Sequence, residues 1–297
     1  EVYAPKMKLV TEHYSEKKQH LIAQMHKAIS TIQWKCEAAL IDKHPEYNMS
    51  DRKLLHLIDL ERGVININGI ECELLDKSYP TIDPSDPYKL TDDEQAIINH
   101  FHASFVNSEK LKKHVYFLLQ KGSFYLARNN NLMFHASIPL NEDGTFKKVK
   151  VMDEYYSGKR LFDRLDSLVQ LACRKSTEIS EEKQASIDYM WYLWCGADSP
   201  SFDKAKMATF ERYLTTNKEV HKEEKGHYYK LQNDEDVCIN ILKEFGIESE
   251  GSHIINGHVP VKIKKGEHPV RANGKLLVID GGFSKAYHSE TGIAGYT

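Results

Sequence analysis

Two histidines, His135 and His258, each close an apolar run: Asn131-Leu132-Met133-Phe134-His135-Ala136-Ser137 and His253-Ile254-Ile255-Asn256-Gly257-His258-Val259-Pro260. In an open α/β sheet, ligands collect just beyond the carboxyl ends of the strands. A strand that stops on a histidine with small neighbours is therefore placed to offer an imidazole to a metal ion. The glycine turn in Val278-Ile279-Asp280-Gly281-Gly282-Phe283 is the third feature of this kind. Backbone N–H groups of Gly281 and Gly282, with a nearby cation, could cradle phosphate oxygens. Arg212, Lys204, Lys262 and Lys285 are the cations considered for that role, though each taken singly reads first as a solvated surface charge. The plain alternative stands beside this: a histidine at a strand end often serves only as a hydrogen-bonding residue, and the chain has 15 histidines. Pattern alone leaves both readings open.

The elements that would position these groups are legible in outline. Leu21, Met25, Ala28, Ile29, Ile32, Cys36 and Leu40 recur at helical spacing and predict a long amphipathic helix packed through that face. A second helical signal covers Arg52 to Leu60, and Val64 to Ile70 alternates around Asn68-Gly69, a hairpin signature. Prolines at 80, 84 and 87 predict a loop. Thr91 and Glu94 form a capping box for a helix through Phe105. Ser108 caps the next helix, whose Leu111, Val115, Leu118 and Leu119 read as core. From Ser123 the character changes. Two strand-like runs flank Asn129-Asn130-Asn131, a helix follows from Gly158 to Arg174, and helical character continues to about Phe245. Strand signals return at Ile254-Ile255, Val259 to Ile263 and Leu276 to Ile279. Glu219 to Gly226 reads as an exposed, charge-laced helix end. Trp191 and Trp194 read as core rather than sugar-stacking platforms. The organisation expected is a mainly helical segment over 1–122 and α/β material over 123–297, with a helical insertion at about 158–246.

Composition sets the outer bounds. With 297 residues, 41% of them hydrophobic, the chain can bury a sizeable core. Its 40 basic and 43 acidic residues leave a net charge of −3, which offers no global attraction to nucleic acid or to an anionic membrane. Five widely spaced cysteines without a C-x-x-C pair suggest neither a disulfide framework nor a zinc knuckle, and fit a reducing cytoplasm. No apolar run approaches membrane-spanning length. Glu1-Val2-Tyr3 reads as mid-element and Gly295-Tyr296-Thr297 stops within a β-rich stretch, so a piece of a longer chain is expected.

Met190-Trp191-Tyr192-Leu193-Trp194-Cys195-Gly196, Met207 to Tyr213, His253 to Lys262, Leu277 to Tyr287 and the ending Thr291-Gly292-Ile293-Ala294-Gly295-Tyr296-Thr297 closely resemble the class III, Firmicutes-type fructose-1,6-bisphosphatases. The resemblance covers nearly the whole chain. It implies a branch of the calcineurin-like metallophosphoesterases, with a two-sheet sandwich, helices outside and a two-metal site at the strand ends. The fold class expected is therefore α/β (α+β): a partial sandwich core flanked by helices, truncated at both ends. The activity implied is hydrolysis of the 1-phosphate of fructose 1,6-bisphosphate, a gluconeogenic step, with manganese as activator. The partner would be a small-molecule sugar bisphosphate, with neither nucleic acid nor membrane; a homo-oligomer is compatible with this. His135 and His258 would bind the same one of two metals. The remaining ligands and the general-acid histidine would lie upstream, leaving no catalytic residue in this chain. Asp42-Lys43-His44 is formally an Asp-x-His motif, but it ends a helix and reads as a decoy. The chain departs from the family at Ala136-Ser137, where Gly-Cys is usual, at Ser201 and Asp203, where Leu and Gly are usual, and at a compressed Tyr3-Ala4-Pro5-Lys6. Two other readings remain: a calcineurin-like phosphoesterase for another ester, and a non-catalytic piece.

Overall fold

A computed structural model describes residues 14–174 and 178–280. In chain order the helices are α1 (Glu16–Lys43), α2 (Asp92–Asn107), α3 (Glu109–Lys121), α4 (Gly158–Cys173), α5 (Glu181–Cys195), α6 (Thr209–Leu214), α7 (His227–Leu231) and α8 (Glu235–Glu244). The strands are β1 (Ile58–Asp59), β2 (Val64–Ile67), β3 (Ile70–Glu73), β4 (Tyr125–Arg128), β5 (Asn131–Phe134), β6 (Val149–Val151), β7 (Glu154–Tyr156), β8 (His253–Asn256), β9 (Val270–Arg271) and β10 (Leu276–Val278). The fold is mixed α/β. It divides into two compact units: residues up to Lys113 with Met207–Glu223, and His114–Lys206 with residues from Glu224 onward. Among the described residues no helix is long and apolar enough to cross a membrane. All five cysteines are free thiols.

In the first unit, the antiparallel sheet β1-β2-β3 turns at Asn68 and Gly69, whose φ angles of 53° and 81° give the expected tight hairpin. Trp34 of α1 sits in the core of this unit with Leu55, Ile65, Leu74, Phe210 and Leu214. The face that α1 buries follows its apolar spacing only in part: Ile32 is buried, while the N-terminal members of the predicted stripe are not. Leu21, Met25 and Ile29 are 54%, 62% and 40% exposed, whereas Lys27, Thr31 and Lys35 are buried. The reason is pairing across long sequence separations. Lys27 Nζ donates to Asp76 at 2.8 Å, Lys35 Nζ to Glu94 at 2.7 Å, and Arg52 Nε to Glu37 at 2.5 Å. Buried charges persist only when paired and hydrogen-bonded in this way. Arg52 to Leu60 is likewise not a helix but two single 3-10 turns, Ser50–Arg52 and Leu55–Leu57, leading into β1. The capping box at Thr91 and Glu94 forms in both directions. The apolar face of α3 is not core: Val115 and Leu118 are exposed, and no residue of that helix is buried.

The second unit is built on a five-stranded sheet of order β4-β5-β8-β10-β9, in which β5, β8 and β10 run parallel and the edge strands antiparallel. Register alternates the faces. Leu132, Ile254 and Leu276 lie side by side on one face with no exposure at all. Phe134, on that same face, packs edge-on against Phe162 of α4 and Tyr228 of α7. Helix α4 forms as expected, burying Leu161, Leu165, Leu168 and Ala172. Three local expectations need correction. Val259 to Ile263 is not a strand; a left-handed residue at His258 (φ 67°) and Pro260 break the extended run, and a 3-10 turn follows at Ile263–Lys265. Glu219 to Gly226 is exposed at Glu219, Lys222, Glu224 and Lys225 as expected, but it is not the end of an α-helix; it begins in a 3-10 turn, Lys218–His221, that buries Val220. Trp194 is 50% exposed, because α5 turns Tyr189, Tyr192, Leu193 and Cys195 inward instead.

Candidate metal centre

Strands β5 and β8 are direct neighbours, paired in parallel with Asn131 opposite His253 and Met133 opposite Ile255. Parallel neighbours end on the same edge of a sheet, so two histidines 123 positions apart arrive together. His135 Nε2 lies 3.2 Å from His258 Nδ1, with the ring centroids 5.0 Å apart and the planes inclined by 64°.

Each ring is held by its surroundings. Gly257 N–H donates to the His135 carbonyl at 2.9 Å, tying the two strand ends together. Asn256, buried at the end of β8, donates from Nδ2 to the Ala136 carbonyl and to the Tyr228 hydroxyl, both at 2.8 Å. Ser137 N–H then donates to the Pro200 carbonyl at 3.0 Å, which brings the 199–203 loop over the site. That loop places the Phe202 ring edge-on to His258, with centroids 6.3 Å apart. The left-handed backbone at His258 turns the ring back toward β5 instead of continuing the strand direction; strain of this kind is held in place by its surroundings. Position 203, where the resembled family carries glycine, is also left-handed, with φ 48°.

The electrostatics suit a ligand. Burial pushes the His258 imidazole down to about 4, assisted by His135, Lys204 and Lys225 and opposed by Asp280. The ring is neutral at neutral pH, the form that binds metals. Its Nε2 is buried without a hydrogen-bond partner. Two imidazole nitrogens each about 2.0–2.1 Å from one ion stand roughly 2.9–3.4 Å apart for cis to tetrahedral angles, and the observed 3.2 Å lies in that interval. A direct N–H···N hydrogen bond has a similar length. The pair thus fits two positions of a metal site. Among the described residues no group of three or more His, Cys, Asp or Glu side chains is disposed around an ion.

Arg212 belongs to the first unit, where its guanidinium donates to Glu223 at 3.0 Å and to the His221 carbonyl at 3.2 Å. Lys262 contacts Glu267 through its backbone N–H at 3.0 Å. Gly281, Gly282 and Lys285 lie outside the described residues. Asp42 and His44 are engaged with Lys53 and Glu46, as befits a decoy. Sequence reasoning missed Lys225, which opposes Lys204 across an isolated antiparallel bridge. It lay within a charge run, and no local signal marks its opposition to a residue 21 positions away.

A family model described as Firmicute fructose-1,6-bisphosphatase matches residues 1–297. Proteins named fructose-1,6-bisphosphatase class 3 are similar along the whole chain. The one from Bacteroides fragilis is 56% identical over 296 residues, covering 100% of this chain and 44% of the relative. That from Phocaeicola vulgatus is 56% identical over 297 residues, with 100% and 44% covered. That from Clostridium beijerinckii is 53% identical over 297 residues, again with 100% and 44% covered. The chain thus spans less than half the length of the curated relatives it matches. No solved structure matches it.

Proposed function

The chain belongs to the Firmicute fructose-1,6-bisphosphatase family, and from that premise we propose that it forms part of an enzyme that hydrolyses fructose 1,6-bisphosphate to fructose 6-phosphate and phosphate. The observation that carries the reading is the convergence of His135 and His258 on one point, nitrogen to nitrogen at 3.2 Å. Their role is to hold one divalent cation, manganese by family likeness, of a binuclear site. When bound, such ions supply a water of lowered pKa and neutralise charge on the phosphoryl oxygens. What this chain's residues contribute is position and charge state. Asn256 and Gly257 fix both strand ends, burial keeps His258 unprotonated, and Phe202 covers one side of the ring.

One observation supports a core completed by further polypeptide. The five-stranded sheet of the second unit carries an apolar row on the side opposite its core: Leu126, Met133, Ile255, Leu277 and Val270 stand in register across all five strands, and only Val115, Leu118 and Leu119 of α3, with neighbouring side chains, line the groove beside it among the described residues. Leu126 and Val270 are exposed. A groove of about 900 Å³ runs along this side, lined by Leu126, Met133, His135, Ile255, Gly257 and Ile279 among others. A sheet buried on one face and apolar on both is what a sandwich lacking its second layer presents. The remaining ligands and the general acid belong, in this reading, to that other layer, and the present chain alone does not turn over.

The experiment is phosphate release from fructose 1,6-bisphosphate by the protein at the length of its relatives, with manganese. Loss of an outer-shell partner of a metal ligand costs about 10–100-fold, so His258→Ala and His135→Ala are each expected to lose about 100-fold or more, with reduced manganese content. Undiminished activity in His258→Ala removes it from the site. Hydrolysis of other phosphate esters but not of the sugar bisphosphate overturns the substrate.

A further inference from the structure

Asn256 interrupts an apolar row. Val278 is its register partner on β10, and Phe134 follows the Met133–Ile255 pair on β5. Two residues earlier, the same face of the sheet carries Leu132, Ile254 and Leu276 side by side. Asn256 is only 3% exposed, and its Oδ1 is buried without a hydrogen-bond partner. A buried acceptor left bare lowers stability, and an apolar side chain of similar volume would fill the place without that cost. What the amide supplies instead is position.

Its Nδ2 donates to the Ala136 carbonyl at 2.8 Å, while the backbone N–H of Gly257 donates to the His135 carbonyl at 2.9 Å. The two residues that precede His258 therefore grip two consecutive carbonyls, at His135 and just after it. The peptide joining His135 to Ala136 is planar, so a grip on the carbonyl at each side leaves the backbone at His135 little rotational freedom. The second bond of Nδ2, also 2.8 Å, goes to the Tyr228 hydroxyl. Tyr228 of α7 is wholly buried, and its ring packs edge-on against Phe134 with centroids 5.9 Å apart. Phe134 directly precedes His135, so Tyr228 braces both histidine-bearing strands, one through its ring and the other through its hydroxyl. Bracing is needed here because β8 ends at Asn256 and His258 is already left-handed, beyond the reach of the ladder.

We propose that Asn256 is a positioning residue of the metal centre, with Tyr228 as its support: the amide holds the His135 and His258 nitrogens at a separation that one divalent cation can bridge. This rests on the proposed function and adds to it two side chains that act without touching the ion.

The test is manganese affinity, read from the electron paramagnetic resonance of free Mn2+, in the protein at the length of its relatives. Loss of an outer-shell partner costs about 10–100-fold in metal affinity. Asn256→Leu keeps the volume, removes the donor and is expected to bind manganese weaker by about that factor. Tyr228→Phe removes one hydroxyl and one hydrogen bond, worth about 2–10-fold, and keeps the proposal testable should the leucine variant not fold. Because Tyr228 acts through Asn256, the double variant should bind no more weakly than Asn256→Leu alone. Leu168→Ala cuts a fully buried side chain of α4; it should lower the melting temperature of the metal-free protein and leave manganese affinity unchanged. His258→Ala should weaken affinity at least as much as Asn256→Leu. Unchanged affinity in both Asn256→Leu and Tyr228→Phe, beside a weakened His258→Ala, overturns the positioning role. A weakening in Leu168→Ala equal to theirs overturns it as well, since any loosening of the fold would then suffice. Unchanged affinity in His258→Ala refutes the metal reading itself, and the positioning role falls with it.

Discussion

Asp203 offers the most quantitative test of how the site's covering loop is built. Its side chain is 5% exposed, and burial is the main cause that pushes its carboxyl from 3.8 up to about 6; Asp198 adds to this, while a Ser137 hydrogen bond and Lys147 oppose it. Its Oδ2 is buried without a partner. The folded-state value is raised, so the stability this group contributes is full below about 3.8 and is lost as pH climbs through about 6. At pH 7.5 the ionised carboxylate therefore costs the fold up to ~3 kcal/mol, and at pH 5 about half of that. Asp203→Asn keeps the shape, removes the charge and tolerates the left-handed backbone. Urea unfolding should show this variant more stable by about 2–3 kcal/mol at pH 7.5, with the gain shrinking toward pH 4. Asp203→Gly, which suits the φ of 48°, should show the same pH trend with a smaller gain, offset by backbone entropy. A variant gain that is independent of pH, or a loss at pH 7.5, refutes this reasoning.

Other expectations follow from the same geometry. Gly226→Ala should destabilise by about 1–3 kcal/mol, because its Cβ meets the Asp203 carboxyl group. Combining it with Asp203→Gly should recover most of that loss, a coupling measurable in a double-mutant cycle. Lys35→Met leaves Glu94 buried without its cation and should cost about 3–5 kcal/mol by chemical denaturation. In contrast, Met25→Lys on the same helix replaces an exposed residue and should change stability by under about 0.5 kcal/mol.

The strand ends were readable because their signal is local. An apolar run closing on histidine needs only the period-2 pattern and a small neighbour, and the parallel pairing of β5 with β8 did the rest. The hairpin at Asn68-Gly69 and the capping box at Thr91 were readable for the same reason. Helix α1 shows where such reading stops. Its buried face is set by Asp76, Glu94 and Arg52, partners lying 15 to 59 positions away, and hydrophobic spacing cannot register a buried lysine that has found its carboxylate. The exposed Leu21, Met25 and Ile29, and the bare face of α3, carry the opposite lesson: apolar periodicity reports that a face has a use, not that this segment covers it. The bridge that sets Lys225 opposite Lys204 was not legible, because it joins segments 21 positions apart that carry no strand pattern of their own.

The account depends on His135 and His258 sharing one cation, and manganese can be made to report that directly. In the protein labelled with 15N at its histidines, substoichiometric Mn2+ should broaden the ring signals of His135 and His258 ahead of the other histidines among the 15 in the chain. His258→Ala should abolish the effect at His135. Broadening that starts at other histidines, or that persists at His135 after the substitution, would contradict the shared site.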